Sequence, residues 1–449
     1  MMLNNNSHMS LPAFINSYLN KFGEIRWFVE LEKQKSFNNI VVIPAIQELN
    51  NIKQLLISLS ANDKKYFKDT LLLFVVNNSE DSTKDVVEEN ELTLELLREI
   101  ISPDKAGGKF VTEIKLSGLN IGLIDASTKG NKLLAKDAGV GLARKIGMDA
   151  ALSLFDYQNN SKKILICLDA DCKVDSNYLT VIVESFNQMI LSAAIISYKH
   201  QIPDDENVKR AIICYEIFLR YYVLALQYAG SPFAYTSIGS TIACDVETYC
   251  KAGGMNKRKA GEDFYFLEKI AKFTRIYRIN STTVYPSSRE SWRVPFGTGK
   301  SINRFLSDSK NEYFLYNPKI IVILKYWFEA FYSSDITNEN ELLSIAEKIS
   351  PELQSFLEEN SFREDWKRII NNSKSADQIN KQKLMWFDGF RTMKLIHHLR
   401  DNGFPQVNMF YALDVLFSKV DGSIQIERES DIPTVDIQTE YLEVLRSLT

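Results

Sequence analysis

The chain is 449 residues long, 45% hydrophobic and 24% charged, with a formal net charge of -4. That length can bury at least one large core and sets an expectation of two or three domains. Acidic and basic residues are interspersed with no long basic run, which removes any electrostatic case for a nucleic-acid partner. Cys167, Cys172, Cys214, Cys244 and Cys250 form no CxxC pair and lack the density of a secreted disulfide framework. Reduced thiols and a cytoplasmic location are therefore expected. The first residues lack the basic start and long apolar core of a secretory leader. No stretch offers about 18 uninterrupted apolar residues, so no membrane span is expected.

In chain order, residues 1–38 read as a helical lead-in, with Phe14, Tyr18, Phe22, Trp27 and Phe28 available to pack on a domain edge. Residues 39–302 alternate. Strand-like runs occur at Ile40 to Ile43, Leu71 to Val76, Val111 to Leu116, Ile164 to Leu168 and Ala193 to Ser197. Helical patterns at Asn51 to Ser60, Thr83 to Ile101 and Gly139 to Phe155 lie between them. This alternation predicts an α/β fold with a mostly parallel, Rossmann-like sheet flanked by helices. Arg210 to Gly230 is the longest apolar segment, but Glu216 and Arg220 interrupt it, so it reads as a buried helix; a weaker alternative is a surface for peripheral membrane contact. Residues 303–449 read as a helical C-terminal region, with a single helix over Gln382 to Leu399 and a polar, acidic, partly loose stretch from Lys419.

The most informative segment is KILICLDADC, Lys163 to Cys172. An apolar, β-branched run ends in Asp169 and Asp171, one residue apart across Ala170, at the carboxyl end of a predicted buried strand. Open α/β sheets bind ligands at that end. Two hard oxygen donors there suit Mg²⁺ or Mn²⁺ shared with substrate phosphates. A turn or helix cap explains such a pair about as well. Other strand ends add polar groups. Pro44, Ala45, Gln47 and Glu48 follow the first strand, and Asn77 and Asn78, which can read a nucleobase edge, follow the second. Arg144 and Lys145 lie in the first turns of a helix entered through glycines, where a helix N-terminus plus a fixed cation suits a diphosphate. Lys129 and Lys132 add charge on a preceding loop.

Further on, Glu262 and Asp263 open an amphipathic helix after a small-residue strand, Gly239 to Ala243, and a Gly253-Gly254 turn. A carboxylate there can accept a proton from an incoming hydroxyl, although acidic residues also favour first turns for stability alone. Arg289 and Arg293 precede the Gly297 and Gly299 loop and suit a phosphate or carboxylate. The histidines show no metal-ligand spacing, and no GxSxG nucleophile elbow occurs.

In this order the segments resemble the family 2 glycosyltransferases, enzymes of the GT-A fold, from about Asn38 to Gly299. PAIQE resembles the first nucleotide-binding loop, with Gln47 where Asn is commoner. VVNNSEDST is similar to VDDGSxDxT, with Asn77 and Asn78 for the acidic pair and one residue missing. GVGLARKIGMDAA resembles the segment whose Arg, here Arg144, lies near the donor diphosphate. LDADC resembles the DxD motif and AGEDFYF the ED motif. The resemblance implies an inverting, metal-dependent hexosyltransferase-type enzyme using a UDP or GDP sugar and an acceptor hydroxyl in cell-envelope or small-acceptor glycan synthesis. Asp171 and Asp169 would hold Mn²⁺ or Mg²⁺, Asp263 would be the base, and Glu262 would orient acceptor or base. Arg289 and Arg293 would close over donor or acceptor. A sugar nucleotidyltransferase and a non-catalytic sugar-nucleotide-binding scaffold are the alternatives. The first would carry a basic glycine-rich loop where PAIQE stands; the second would bind ligand without turnover.

Overall fold

A computed structural model describes residues 11–449 apart from 34, 106, 291–296, 308–311 and 334–335. They divide into two compact units, residues 1–201 with 237–287 and residues 202–236 with 288–449.

The first unit begins with helix α1 (Ala13–Phe22) and strand β1 (Val29–Leu31). Then follow β2 (Asn39–Ala45), α2 (Leu49–Ser60), β3 (Thr70–Asn77), α3 (Lys84–Ile101), α4 (Lys109–Ser117) and β4 (Asn120–Ala126). Next come α5 (Val140–Ala151), β5 (Ile164–Cys167), β6 (Lys173–Val174), α6 (Tyr178–Gln188) and β7 (Ala193–Tyr198). The chain leaves for α7 (Glu206–Tyr228) in the second unit and returns with β8 (Ile242–Asp245), α8 (Val246–Lys251), α9 (Glu262–Ala271) and β9 (Tyr277–Tyr285).

The strands form one nine-stranded sheet in the order β1-β4-β3-β2-β5-β8-β7-β9-β6. β4, β3, β2 and β5 run parallel, and β2 and β3 are buried along their whole length, which is why both read as unbroken apolar runs. From β2 the chain builds outward through β3 to β4, then crosses back to place β5 on the other side of β2. The crevice beyond the carboxyl ends of β2 and β5 is therefore a topological switch point, the place where open α/β sheets receive ligands.

Several local expectations change. Val111 to Leu116 is not a strand but the body of α4: Val111 and Ile114 are its buried pair at helical spacing, and Gly118 closes it in the left-handed region at φ 87°. The strand lies just after it, as β4, on the glycine-containing approach to the Arg144 helix. The segment from Gly239 begins as a short 3₁₀ turn, Gly239–Thr241, before β8. Of the five lead-in aromatics, Tyr18 is buried, whereas Phe28 is 81% exposed and Phe14 and Phe22 are also exposed.

The second unit is helical and built around an aromatic core. It contains α7, α10 (Thr298–Leu306), α11 (Pro318–Ser333), α12 (Glu339–Ile349), α13 (Pro351–Glu359), α14 (Phe362–Asn372), α15 (Ala376–Trp386), α16 (Gly389–Asp401), α17 (Met409–Val420) and α18 (Val435–Leu448), with a two-stranded ladder, β10 (Phe314–Leu315) against β11 (Val407–Asn408). Trp327 stacks on Phe331, and Phe362 on Trp366. The charges that interrupt α7 are internal. Arg220 donates to Glu216 one turn away at 2.8 Å, and Arg446 grips the same carboxylate through two nitrogens at 2.8 and 3.0 Å. Gln382 to Leu399 is two helices, broken where Asp388 caps α16 by accepting from the Arg391 amide. The tail from Lys419 is not loose throughout, because Tyr441, Leu442 and Leu445 of α18 are buried. No described helix is long and apolar enough to cross a membrane.

Candidate functional site

The switch-point crevice is assembled from five strand or helix ends of the first unit. After β5, the Leu168 amide still donates to Val42 O of β2 at 3.1 Å, and the chain then turns, with the Cys172 amide donating to Asp169 O at 3.1 Å. This turn presents Asp169 and Asp171 on either side of buried Ala170, with the Asp169 side chain 34% exposed. Gln201 fixes the turn from beyond β7: its Nε2 donates to Asp171 O at 3.1 Å and to Tyr285 O at 2.8 Å.

At the end of β2, Pro44 and Ala45 are buried, and Gln47 adopts φ 56°, a left-handed conformation that costs a non-glycine residue on the order of 1 kcal/mol. Two bonds hold it there: the Gln47 amide donates to Asn90 Oδ1 at 2.9 Å, and Gln47 Nε2 donates to Asp85 at 3.2 Å. Glu48 is buried and accepts from Asn51 Nδ2. At the end of β3 the two asparagines separate. Asn77 Nδ2 donates to Ala45 O and Val75 O, joining neighbouring strand ends. Asn78 is 1% exposed, and neither its Oδ1 nor its Nδ2 has a hydrogen-bond partner. A buried, unsatisfied amide costs roughly 1–3 kcal/mol, which makes Asn78 the member of the pair with capacity left for a ligand.

Arg144 and Lys145 diverge although adjacent. Lys145 takes no part in the crevice: its ammonium is buried against Asp149 at 2.9 Å and donates to Tyr18 Oη at 2.9 Å. Asp149 also accepts from Tyr18 Oη and Tyr249 Oη, each at 2.7 Å, and from the Glu24 amide at 2.8 Å. Arg144 faces the crevice side. Its Nη2 donates to Asp169 Oδ1 at 2.5 Å and its Nη1 to Glu262 Oε1. Burial opposes its charge, but Asp169 and Glu262 outweigh that and push its pKa up.

Glu262 and Asp263 open α9, as the sequence predicts, after Gly261 in the left-handed region at φ 71°. The preceding loop is packed onto the start of α5. A Cβ on Gly141 would lie 2.3 Å from Arg258 O and 2.9 Å from Glu262 Cβ, so only glycine allows the approach. Asn256 Nδ2 donates to Glu262 O at 2.8 Å, and Lys259 Nζ donates to Ala135 O at 2.9 Å. The α5 N-terminus is thus covered on this side by loop backbone. Desolvation first, then the neighbouring Glu262 charge, pushes the Asp263 carboxyl up to about 7, while Arg144 works against the rise; burial also raises Glu262.

The structure brings Arg144, Asp169, Glu262 and Asp263 into one charged cluster. Lys129 is exposed on the loop after β4, and the backbone oxygen of Lys132 accepts from Arg26. Arg289 belongs to the second unit, and Arg293 lies outside the described residues. Sequence reasoning missed Asn90, whose Nδ2 donates to Asn77 O at 3.0 Å while its Oδ1 holds Gln47. Its signal was present: Asn90 occupies a place in the buried stripe Val86, Asn90, Leu94, Leu97 of an otherwise charged helix. Nothing in the sequence marks Gln201 in the same way. Among the described residues no group of three or more His, Cys, Asp or Glu is arranged to hold a metal.

No protein-family model matches the chain, and no curated protein matches it by sequence. Among solved structures it is similar to crystal structures of S. aureus TarS. A structure of residues 1–349 is 12% identical, with 87% of this chain and 94% of that chain covered and a TM-score of 0.36. The same fragment in complex with UDP-GlcNAc is 14% identical, with coverage of 87% and 95% and a TM-score of 0.37. A longer TarS structure is 13% identical, with 72% of this chain and 55% of that chain covered and a TM-score of 0.33.

Proposed function

We propose that the chain is a glycosyltransferase of family 2, GT-A type, transferring a sugar from a UDP or GDP sugar to an acceptor hydroxyl with inversion at the anomeric carbon. The observation that carries this reading is the charged cluster. One guanidinium joins Asp169, at the end of a parallel strand at the switch point, to Glu262 beside Asp263, whose carboxyl is held near neutrality. This arrangement supports reading Asp169 as a ligand-facing carboxylate and Asp263 as a proton acceptor in one crevice wall.

In the proposed step the acceptor oxygen forms a bond to the anomeric carbon as the bond to the leaving diphosphate breaks, and the acceptor proton passes to Asp263. Glu262 orients Asp263 or the acceptor. Pro44, Ala45 and Asn78 line the base and ribose side, with Asn78 offering both a donor and an acceptor. Asp171 and Asp169, one residue apart after β5, would supply two carboxylates, a donor pair suited to Mn²⁺ or Mg²⁺ completed by substrate phosphates and water. When bound, such a cation would neutralise charge on the departing diphosphate. A cell-envelope or small-molecule hydroxyl is the proposed acceptor class.

The test is donor consumption, measured with a panel of UDP and GDP sugars in the presence of Mn²⁺. One donor is expected to be consumed, slowly with water alone and faster with a suitable hydroxyl, and chelation should stop it. Because the base must be deprotonated, kcat/KM should fall about tenfold per pH unit below a midpoint near 7 and level off above it. That midpoint belongs to the Glu262–Asp263 pair. A flat profile between pH 5.5 and 8.5 would remove Asp263 from the role, and binding without consumption of any donor would favour the scaffold.

A further inference from the structure

Arg144 is 2% exposed, and both of its terminal nitrogens are committed to carboxylates on different elements, Asp169 after β5 and Glu262 on α9. Its guanidinium lies flat on a glycine. A Cβ on Gly239 would fall 2.3 Å from Nη1, 2.4 Å from Cζ and 2.4 Å from Nη2, so any side chain there displaces the fork. Gly239 is held in its turn by the Thr241 amide, which donates to Ile238 O at 3.0 Å, and by Thr241 Oγ1, which donates to the same oxygen at 2.9 Å. A planar two-pronged cation on a glycine seat can bridge two carboxylates that a single ammonium could not hold together.

We propose that Arg144, seated on Gly239, is a positioning residue that couples the cation and donor side of the crevice to the base side, and is not itself a ligand of the donor phosphates. The proposal rests on the sugar-transfer reading and assigns within it a role to Gly239. It has a direct consequence. With Glu262 neutralised, the guanidinium turns its whole fork onto Asp169 and withholds that carboxylate from a cation, although Glu262 itself never meets the donor.

The experiment is a double-mutant cycle read by calorimetric binding of UDP and GDP with Mn²⁺. In the wild-type background, Glu262→Gln is expected to weaken binding of the preferred nucleotide about tenfold. In an Arg144→Lys background the same change should alter binding less than about twofold. Gly239→Ala, which keeps the charge and moves the fork, should abolish the Glu262 effect in the same way, and it keeps the test open if Arg144→Lys does not fold by circular dichroism. A Glu262→Gln variant that binds like wild type, or one whose effect is equal in all three backgrounds, would overturn the coupling. So would an additive loss of more than about a hundredfold in Arg144→Lys, which would make Arg144 a phosphate ligand. A wild-type protein that binds neither nucleotide fails the sugar-transfer reading first and takes the coupling with it.

Discussion

Asp263→Asn should lower donor turnover by about 10²–10⁴-fold while leaving nucleotide binding intact, and should make the protein more stable at alkaline pH. Both effects follow from one fact: the Asp263 carboxyl is pushed up from an ordinary value of 3.8 to about 7 by desolvation and by Glu262. Between those two values the folded chain binds a proton that the unfolded chain has already released, so stability falls as pH rises through that window. Above pH 7 the full cost of the charged, crowded carboxylate is present. Asparagine removes the cost and can still accept from the Phe264 amide, which now donates to Asp263 Oδ1 at 2.7 Å. Urea unfolding should show a gain of up to about 4 kcal/mol at pH 8 that vanishes near pH 4. Removal of a general base is commonly worth 10²–10⁴ in rate, and a stabilised but active variant would contradict the assignment.

The largest expected loss of stability lies behind the crevice. Asp149→Ala should cost about 3–5 kcal/mol, measured by urea or thermal unfolding, because it strands a buried ammonium. Lys145 would lose its partner at 2.9 Å, and two tyrosine hydroxyls and the Glu24 amide would lose their acceptor together. α1 and α8 would loosen from the back of the helix whose other face carries Arg144. Replacing the pair by apolar side chains, Lys145→Met with Asp149→Leu, should recover part of the loss, since the penalty arises mainly from the uncompensated charge. If Asp149→Ala costs less than about 1 kcal/mol, the network does not hold α5 in place.

What the sequence disclosed and what it hid have physical reasons. β2, β3 and β5 were legible because burial on both faces makes a strand uniformly apolar, and the polar residues that end each run mark the binding edge. Asp169 and Asp171 stand out for that reason, whereas Glu262 and Asp263 stand out as acidic residues that open an amphipathic helix. β4 was missed because Gly122 and Asp125 break its apolar run, while the preceding helix α4 carries enough Val and Ile to imitate a strand. The different fates of Arg144 and Lys145 were invisible: neighbours on a helix point about 100° apart, and only the packing on either side makes one a crevice residue and the other the centre of a buried network. The seat at Gly239 was hidden too, since a close approach between residues 95 positions apart leaves no local pattern.

Calorimetric titration of UDP and GDP into wild type and Asp171→Ala, each with and without Mn²⁺, asks whether the carboxylates after β5 form a donor site. The expected result is binding of one nucleotide that requires Mn²⁺ and is lost in the variant. Absence of binding by either nucleotide under every condition, or metal-independent binding that survives Asp171→Ala, would contradict it.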